Sequence, residues 1–229
     1  MKIFAQKLLV GRTFLANQTV TVEDGQITAI GGGGPADFSV WALTPGLVDL
    51  HCHGGQGFDP ELNERPLPEF LTILLCHGVT DVLLTLGAEP LPTMRRALAV
   101  VQTAMQQQAA GKLPGAHILG VHLEGPFLSP ERPGAMPLAP ELPGALELGA
   151  ALAARGIRVQ AGHTDADYEI AQRAFSAGFT GLCHTFNACR PLRHRDPGVV
   201  AAALLDPNVT TECICDLVHL HPAALQLVY

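Results

Sequence analysis

The sequence predicts an α/β protein: an incomplete (β/α)8 TIM-type barrel preceded by a small β module. Two observations point there. Near-continuous apolar runs alternate with helical stretches from Leu43 onward, the pattern of parallel strands buried on both faces. The polar residues His51/His53, Glu124, His163, His184 and Asp216/His219 each fall at the C-terminal end of a different run. In a barrel those ends converge on one mouth, whereas a doubly wound sheet would spread them along a line. A dinucleotide fold gains no support, because no G-x-G-x-x-G turn occurs.

Residues 1–42 read as the β module. KLLVGRTFLANQTVTVEDGQITAIGGGG alternates apolar and polar residues, and Glu23-Asp24-Gly25 is a hairpin turn signal. The segment is too short to stand alone. Residues 43–229 read as the partial barrel. Its strands are expected in LTPGLVDLHCHG, GVTDVLLTLG, AHILGVHLEGP, IRVQAGHT, FTGLCHTFNA and VTTECICDLVH. Helices are expected around Leu67–Cys76, Pro92–Ala110, Ala145–Arg155 and Asp165–Ala177, with another short helix between the last two strands.

Composition narrows the function. Of 229 residues, 48% are hydrophobic and 15% charged, enough apolar material for one sizeable core. A formal net charge of -7 without any Lys/Arg block argues against nucleic acid as a partner. No run of about 20 apolar residues suggests a membrane span, and the first residues do not read as a secretion signal. The six cysteines, at 52, 76, 183, 189, 213 and 215, form no CxxC pair. They read as free thiols of a reducing compartment, and the expected location is the cytoplasm.

Several residue groups carry chemistry. In Asp49-Leu50-His51-Cys52-His53 the two imidazoles lie two apart on a strand, so they share a face. They are a metal-ligand pair or a hydrogen-bonded pair. Glu124 ends an apolar strand ahead of Gly125-Pro126, where a desolvated carboxylate needs a cation or donors. His122 shares its face by alternation and is either a partner of Glu124's site or a core histidine. His163 and His184 each follow an apolar strand. Glu plus two His, with a position open for water, is the donor set of a catalytic zinc-like site. Arg190, Arg193 and Arg195, with His194, form either an anion-binding fork or a solvated loop. His219 is placed to orient a substrate, and His221 beside Pro222 reads as a turn residue.

TPGLVDLHCHGG, HLEGP, AGHT, HTFNA, RDPG and DLVHLHP occur in the order seen in the N-acetylglucosamine-6-phosphate deacetylases, which the chain resembles over most of its length. The resemblance implies metal-dependent hydrolysis of the N-acetyl group of N-acetylglucosamine 6-phosphate, giving acetate and glucosamine 6-phosphate. It implies Glu124, His163 and His184 as principal ligands of a divalent metal (Zn, or Fe, Co or Mn). His51 and His53 would hold a second ion. Ala135, Met136, Asn187, Ala188, Asp216 and His219 would contact the sugar, and Arg195 the 6-phosphate. A homodimer is also implied.

The chain departs from that pattern. The family's catalytic acid/base is an Asp at the end of the eighth strand, and Tyr229 precedes any such strand, so no catalytic residue is assigned. A helix and a strand are missing between Pro126 and Leu142, and Met136 stands where the family usually has a substrate-binding His. The closing strands of the β module are missing too. The expectation is a shortened chain that binds metal with little or no turnover. Two other readings compete. One is another cyclic-amidase-type amidohydrolase such as a dihydroorotase relative, disfavoured because the last lysine is Lys112 and none lies near a strand end. The other is a non-catalytic remnant that binds metal or sugar phosphate.

Overall fold

The computed structural model describes residues 1–62, 66–87, 89–125 and 139–229. Strands β1 (Lys2–Val10), β2 (Thr13–Glu23) and β3 (Gln26–Gly32) form an antiparallel meander. Strand β4 (Phe38–Leu43) adds to the free side of β1 in parallel, giving the order β3-β2-β1-β4. The β2–β3 turn is the predicted one: Asp24 and Gly25 both take positive φ, 48° and 76°, as a tight hairpin requires. The buried centre of this sheet is small, with Ala5, Leu8 and Val20 at its heart.

The rest of the chain is built of repeated strand–helix units. Strand β5 (Leu47–Cys52), helix α1 (Leu67–Cys76), β6 (Val79–Leu86), α2 (Leu91–Ala109) and β7 (His117–Leu123) form a parallel sheet in the order β5-β6-β7. Phe70, Leu71 and Leu74 of α1 and Val101 and Ala104 of α2 cover Val82, Leu84 and Ile118. Helix α3 (Ala145–Ala153) then leads into β8 (Val159–Ala161), α4 (Tyr168–Ser176), β9 (Phe179–Leu182), α5 (Gly198–Leu205), β10 (Thr210–Thr211) and α6 (Pro222–Val228). These strands make a second parallel sheet, β10-β9-β8. Its core gathers Val159, Ala161, Ala171, Ala174, Phe179, Leu182, Val199 and Val200. Helix α3 lies so close to β9 that a Cβ on Gly149 would sit 2.1 Å from the Phe179 ring. Asp167 caps α4 by accepting from Ile170 N at 2.8 Å. His221 caps α6 in the same way, its Nδ1 accepting from Ala223 N at 3.2 Å, which agrees with a turn role.

All six expected strands after Leu43 are present, yet the last three are short. β8 and β9 stop before His163 and His184, whose φ values of 41° and 28° no strand adopts. β10 pairs on one side only, with β9, among the described residues. The apolar run of β5 was expected to be buried on both faces. Instead Leu47, Val48 and Leu50 are 58%, 53% and 44% exposed, because no described strand pairs with its outer edge. No helix among the described residues is long and apolar enough to cross a membrane.

Candidate metal centre

Glu124 sits at the centre of the site. It follows β7 directly and is 1% exposed. Its Oε1 lies 3.4 Å from Nε2 of each of His51, His163 and His184. Its Oε2 lies 2.7 Å from His53 Nε2, though not aligned as a hydrogen bond. The imidazoles also face one another: His163 Nε2 and His184 Nε2 are 2.8 Å apart, and His51 Nε2 and His53 Nε2 are 3.0 Å apart. The structure thus brings together all five residues that the sequence offered as metal ligands.

The backbone works to aim them. His51 and His53 follow the strand alternation of β5. A Cβ on Gly54, the next residue, would meet Phe58 O at 2.3 Å, so only a glycine lets the loop close after the pair. His163 and His184 hold left-handed backbones, as do Phe186 and Ala188 in the same turn. Such conformations in non-glycine residues cost about 1–3 kcal/mol each and persist only where the surroundings enforce them. Here Thr164 N donates to Ala188 O at 3.1 Å and Arg190 N to Thr164 O at 2.9 Å, stitching the two histidine turns together. Glu141 accepts from Thr164 Oγ1 and, at 2.8 Å, from Asp165 N.

The donor chemistry fits a metal. Around a tetrahedral zinc with bonds of about 2.0–2.1 Å, ligand atoms lie about 3.3–3.4 Å apart. The Glu124, His163 and His184 donor atoms are spaced close to this, at 2.8–3.4 Å. His184 Nδ1 lies 3.0 Å from Asn187 O, so that nitrogen carries the proton and Nε2 presents its lone pair. Burial alone would push the Glu124 carboxyl up, but the surrounding imidazoles of His184, His51 and His53 outweigh it and hold the group far below the usual carboxylate range. Burial lowers His51 likewise, yet Glu124 and Glu212 outweigh it and raise this imidazole to about 9. His122 is pushed down to about 4 by burial and then by the neighbouring His51. Its Nδ1 pairs with Thr85 Oγ1 at 3.2 Å, so it borders the cluster from within.

A cavity of about 700 Å³ opens on the cluster, lined by His51, His53, Glu124, His163, His184, Asn187, Ala188 and His219 among others. Asn187 Nδ2 is buried and has no hydrogen-bond partner among the described residues. Asp216 Oδ2 holds His219 Nδ1 at 2.7 Å, and its Oδ1 accepts from the backbone N–H of Val218 and His219. Arg195 is exposed in the loop after the histidine turn and does not line this cavity. Arg190 is committed elsewhere, to Asp165 at 3.0 Å and Asp196 at 2.9 Å. Ala135 and Met136 lie outside the described residues.

Sequence reasoning missed two groups beside the cluster, one on the cavity wall and one buried behind it. Glu212 follows β10 and accepts from Gln160 Nε2 at 2.6 Å. Cys183 Sγ lies 3.2 Å from His51 Nδ1. The rule that singled out Glu124, a carboxylate ending an apolar run, does not reach Glu212, which follows Thr210-Thr211 inside its run.

A scan against protein-family models finds no match. Curated relatives do match. The N-acetylglucosamine-6-phosphate deacetylase of Vibrio furnissii is 36% identical over 98% of this chain and 64% of its own length. The N-acetylgalactosamine-6-phosphate deacetylase of Escherichia coli O157:H7 is 34% identical over 97% of this chain and 66% of its own length. The chain therefore spans just under two thirds of these relatives. Among solved structures, the N-acetyl-D-glucosamine-6-phosphate deacetylase of Mycobacterium smegmatis superposes with a TM-score of 0.85 at 30% identity, covering all of this chain and 72% of that one. On the strength of that match in sequence and fold, the chain belongs to the N-acetylglucosamine-6-phosphate deacetylase family.

Proposed function

We propose that the Glu124 cluster binds a divalent metal of the Zn, Fe, Co or Mn group and serves hydrolysis of the N-acetyl group of N-acetylglucosamine 6-phosphate. The carrying observation is one buried carboxylate oxygen 3.4 Å from three imidazole nitrogens drawn from three strands. Glu124, His163 and His184 would hold the first ion, and His51 with His53 a second. When bound, the metal supplies an acidified water and polarises the acetyl carbonyl. The chain's own groups do the positioning. Asn187 Nδ2, an orphaned donor on the cavity wall, suits a sugar hydroxyl or carbonyl oxygen. Ala188 shapes the same wall. Asp216 fixes the ring of His219 so that its Nε2 can meet the sugar. The exposed Arg195 guanidinium would reach a 6-phosphate at the rim.

The architecture that suits these convergent strand ends is a partial (β/α)8 barrel, residues 43–229, with residues 1–42 as an appended β module. Six parallel strands in two groups of three, with every ligand at or just after a strand's C-terminal end, support that reading.

A second reading has its own support. Of the carboxylates lining the cavity, Asp49 accepts from His51 N, Glu212 is paired with Gln160, and Asp216 is paired with His219. Among the described residues each of the three already accepts a hydrogen bond within the chain, which favours binding of metal and sugar phosphate without turnover. Acetate release from N-acetylglucosamine 6-phosphate, measured beside metal content and sugar-phosphate binding in wild type and Glu124→Gln, decides. Release that Glu124→Gln abolishes supports the deacetylase. Metal and sugar phosphate bound without release support the second reading. A chain that binds neither overturns both.

A further inference from the structure

Beside the Glu124 cluster, donor atoms of His51, His122, Cys183 and Glu212 converge from in or just after β5, β7, β9 and β10. His51 presents Nε2 to Glu124 and Nδ1 inward. Cys183 Sγ lies 3.2 Å from that Nδ1, and Glu212 Oε2 lies 3.8 Å from it. Donor atoms of His51, His122 and Cys183 all fall within 4.8 Å of one another. The rings of His51 and His122 are 4.5 Å apart, centre to centre.

Two of these groups have the backing hydrogen bonds that orient metal ligands. Thr85 holds His122, and Gln160 holds the other oxygen of Glu212. Glu212 Oε2 itself is buried with no hydrogen-bond partner among the described residues. Leaving a buried carboxylate oxygen unsatisfied is expensive, and a cation amid Oε2, Sγ and Nδ1 would satisfy all three. One thiolate, one carboxylate and two imidazoles also balance a doubly charged ion, which suits an interior of low dielectric. Sulfur with nitrogen selects a borderline-soft ion; calcium and magnesium require shells of oxygen.

We propose that His51 Nδ1, His122, Cys183 and Glu212 form a further metal position, for zinc or a zinc-like ion, separate from the sulfur-free Glu124–His163–His184 set and from the His51 Nε2–His53 pair. Binding breaks the Cys183 S–H bond, forms a bond from Sγ to the metal and releases that proton to solvent.

The test is titration of metal-free chain with Co²⁺, following the thiolate-to-cobalt charge-transfer band in the near ultraviolet together with stoichiometry by equilibrium dialysis. The band is expected in wild type and in His163→Ala, which disables the first set. It disappears in Cys183→Ser, with the loss of one ion per chain. Glu212→Gln leaves the thiol intact and is expected to weaken the band-forming site at least tenfold, so the test survives a poorly folded serine variant. No band at saturating Co²⁺, a band that persists in Cys183→Ser, or unchanged affinity in Glu212→Gln would overturn the proposal. The readout is spectroscopic, so its failure leaves the deacetylase reading, judged by acetate release, standing.

Discussion

Leu217 shows what one residue can cost this site. It lies between Asp216 and His219 with φ at 65° and its side chain 63% exposed, so it carries left-handed strain with little burial in return. A left-handed backbone costs an L-residue about 1–2 kcal/mol, against about 0.5–1 kcal/mol for the added freedom of glycine in the unfolded chain. Leu217→Gly is therefore expected to stabilise the chain by about 0.5–1 kcal/mol in urea denaturation. A loss of stability would show that the exposed side chain makes contacts that matter. The five metal-ligand candidates were legible as residues, because a carboxylate or imidazole ending an apolar strand has few inexpensive explanations. Cys183 was not, since a thiol in an apolar run usually packs as a small hydrophobe. The strained turns of His163 and His184 left no sequence signal, because neither residue is the glycine that usually marks positive φ.

At the scale of elements, the expected helices were read to within a few residues but α6 was not anticipated, while strand ends were overestimated wherever a ligand turn interrupts the ladder. The loop after β5 adds a feature that no pattern revealed. Glu61 accepts from Gly87 N and so ties this loop to the end of β6, with Asp59 beside it. Burial, then the hydrogen bond and charge of Asp59, raise the Glu61 carboxyl above its ordinary value of 4.5. The sign follows from linkage. A carboxyl whose pKa is raised by folding binds more protons in the native state, so stability falls as pH climbs above the unfolded value. A glutamine keeps the acceptor and removes the charge. Glu61→Gln should melt at a higher temperature than wild type at pH 7, and the two should converge near pH 4. Parallel melting curves at both pH values check this, and a lower melting point at pH 7 would refute it.

Across the whole molecule, the alternation of strand and helix made the α/β class legible, because parallel strands buried on both faces must be apolar throughout. The exposure of β5 was not legible, since a pattern of apolar residues records what a strand is suited to meet and not what stands beside it. The three-stranded sheets share no strand pairing among the described residues. A metal on Glu124, His163 and His184 would bind native chain and not unfolded chain, so it should stabilise by about 2.7 kcal/mol when free Zn²⁺ is a hundredfold above Kd. Thermal melts of wild type should shift upward with Zn²⁺, and those of Glu124→Gln should shift less.

The same geometry gives the ion a mechanical part. Glu124 follows a strand of the first sheet and His163 and His184 follow strands of the second, so a bound metal would fasten two halves that no backbone ladder joins among the described residues. It acts as a removable cross-link closing a long loop, whose entropic benefit grows with the length enclosed. A chelator would then act on this chain much as a reductant acts on a disulfide-bonded one, freeing one half to move against the other before either unfolds.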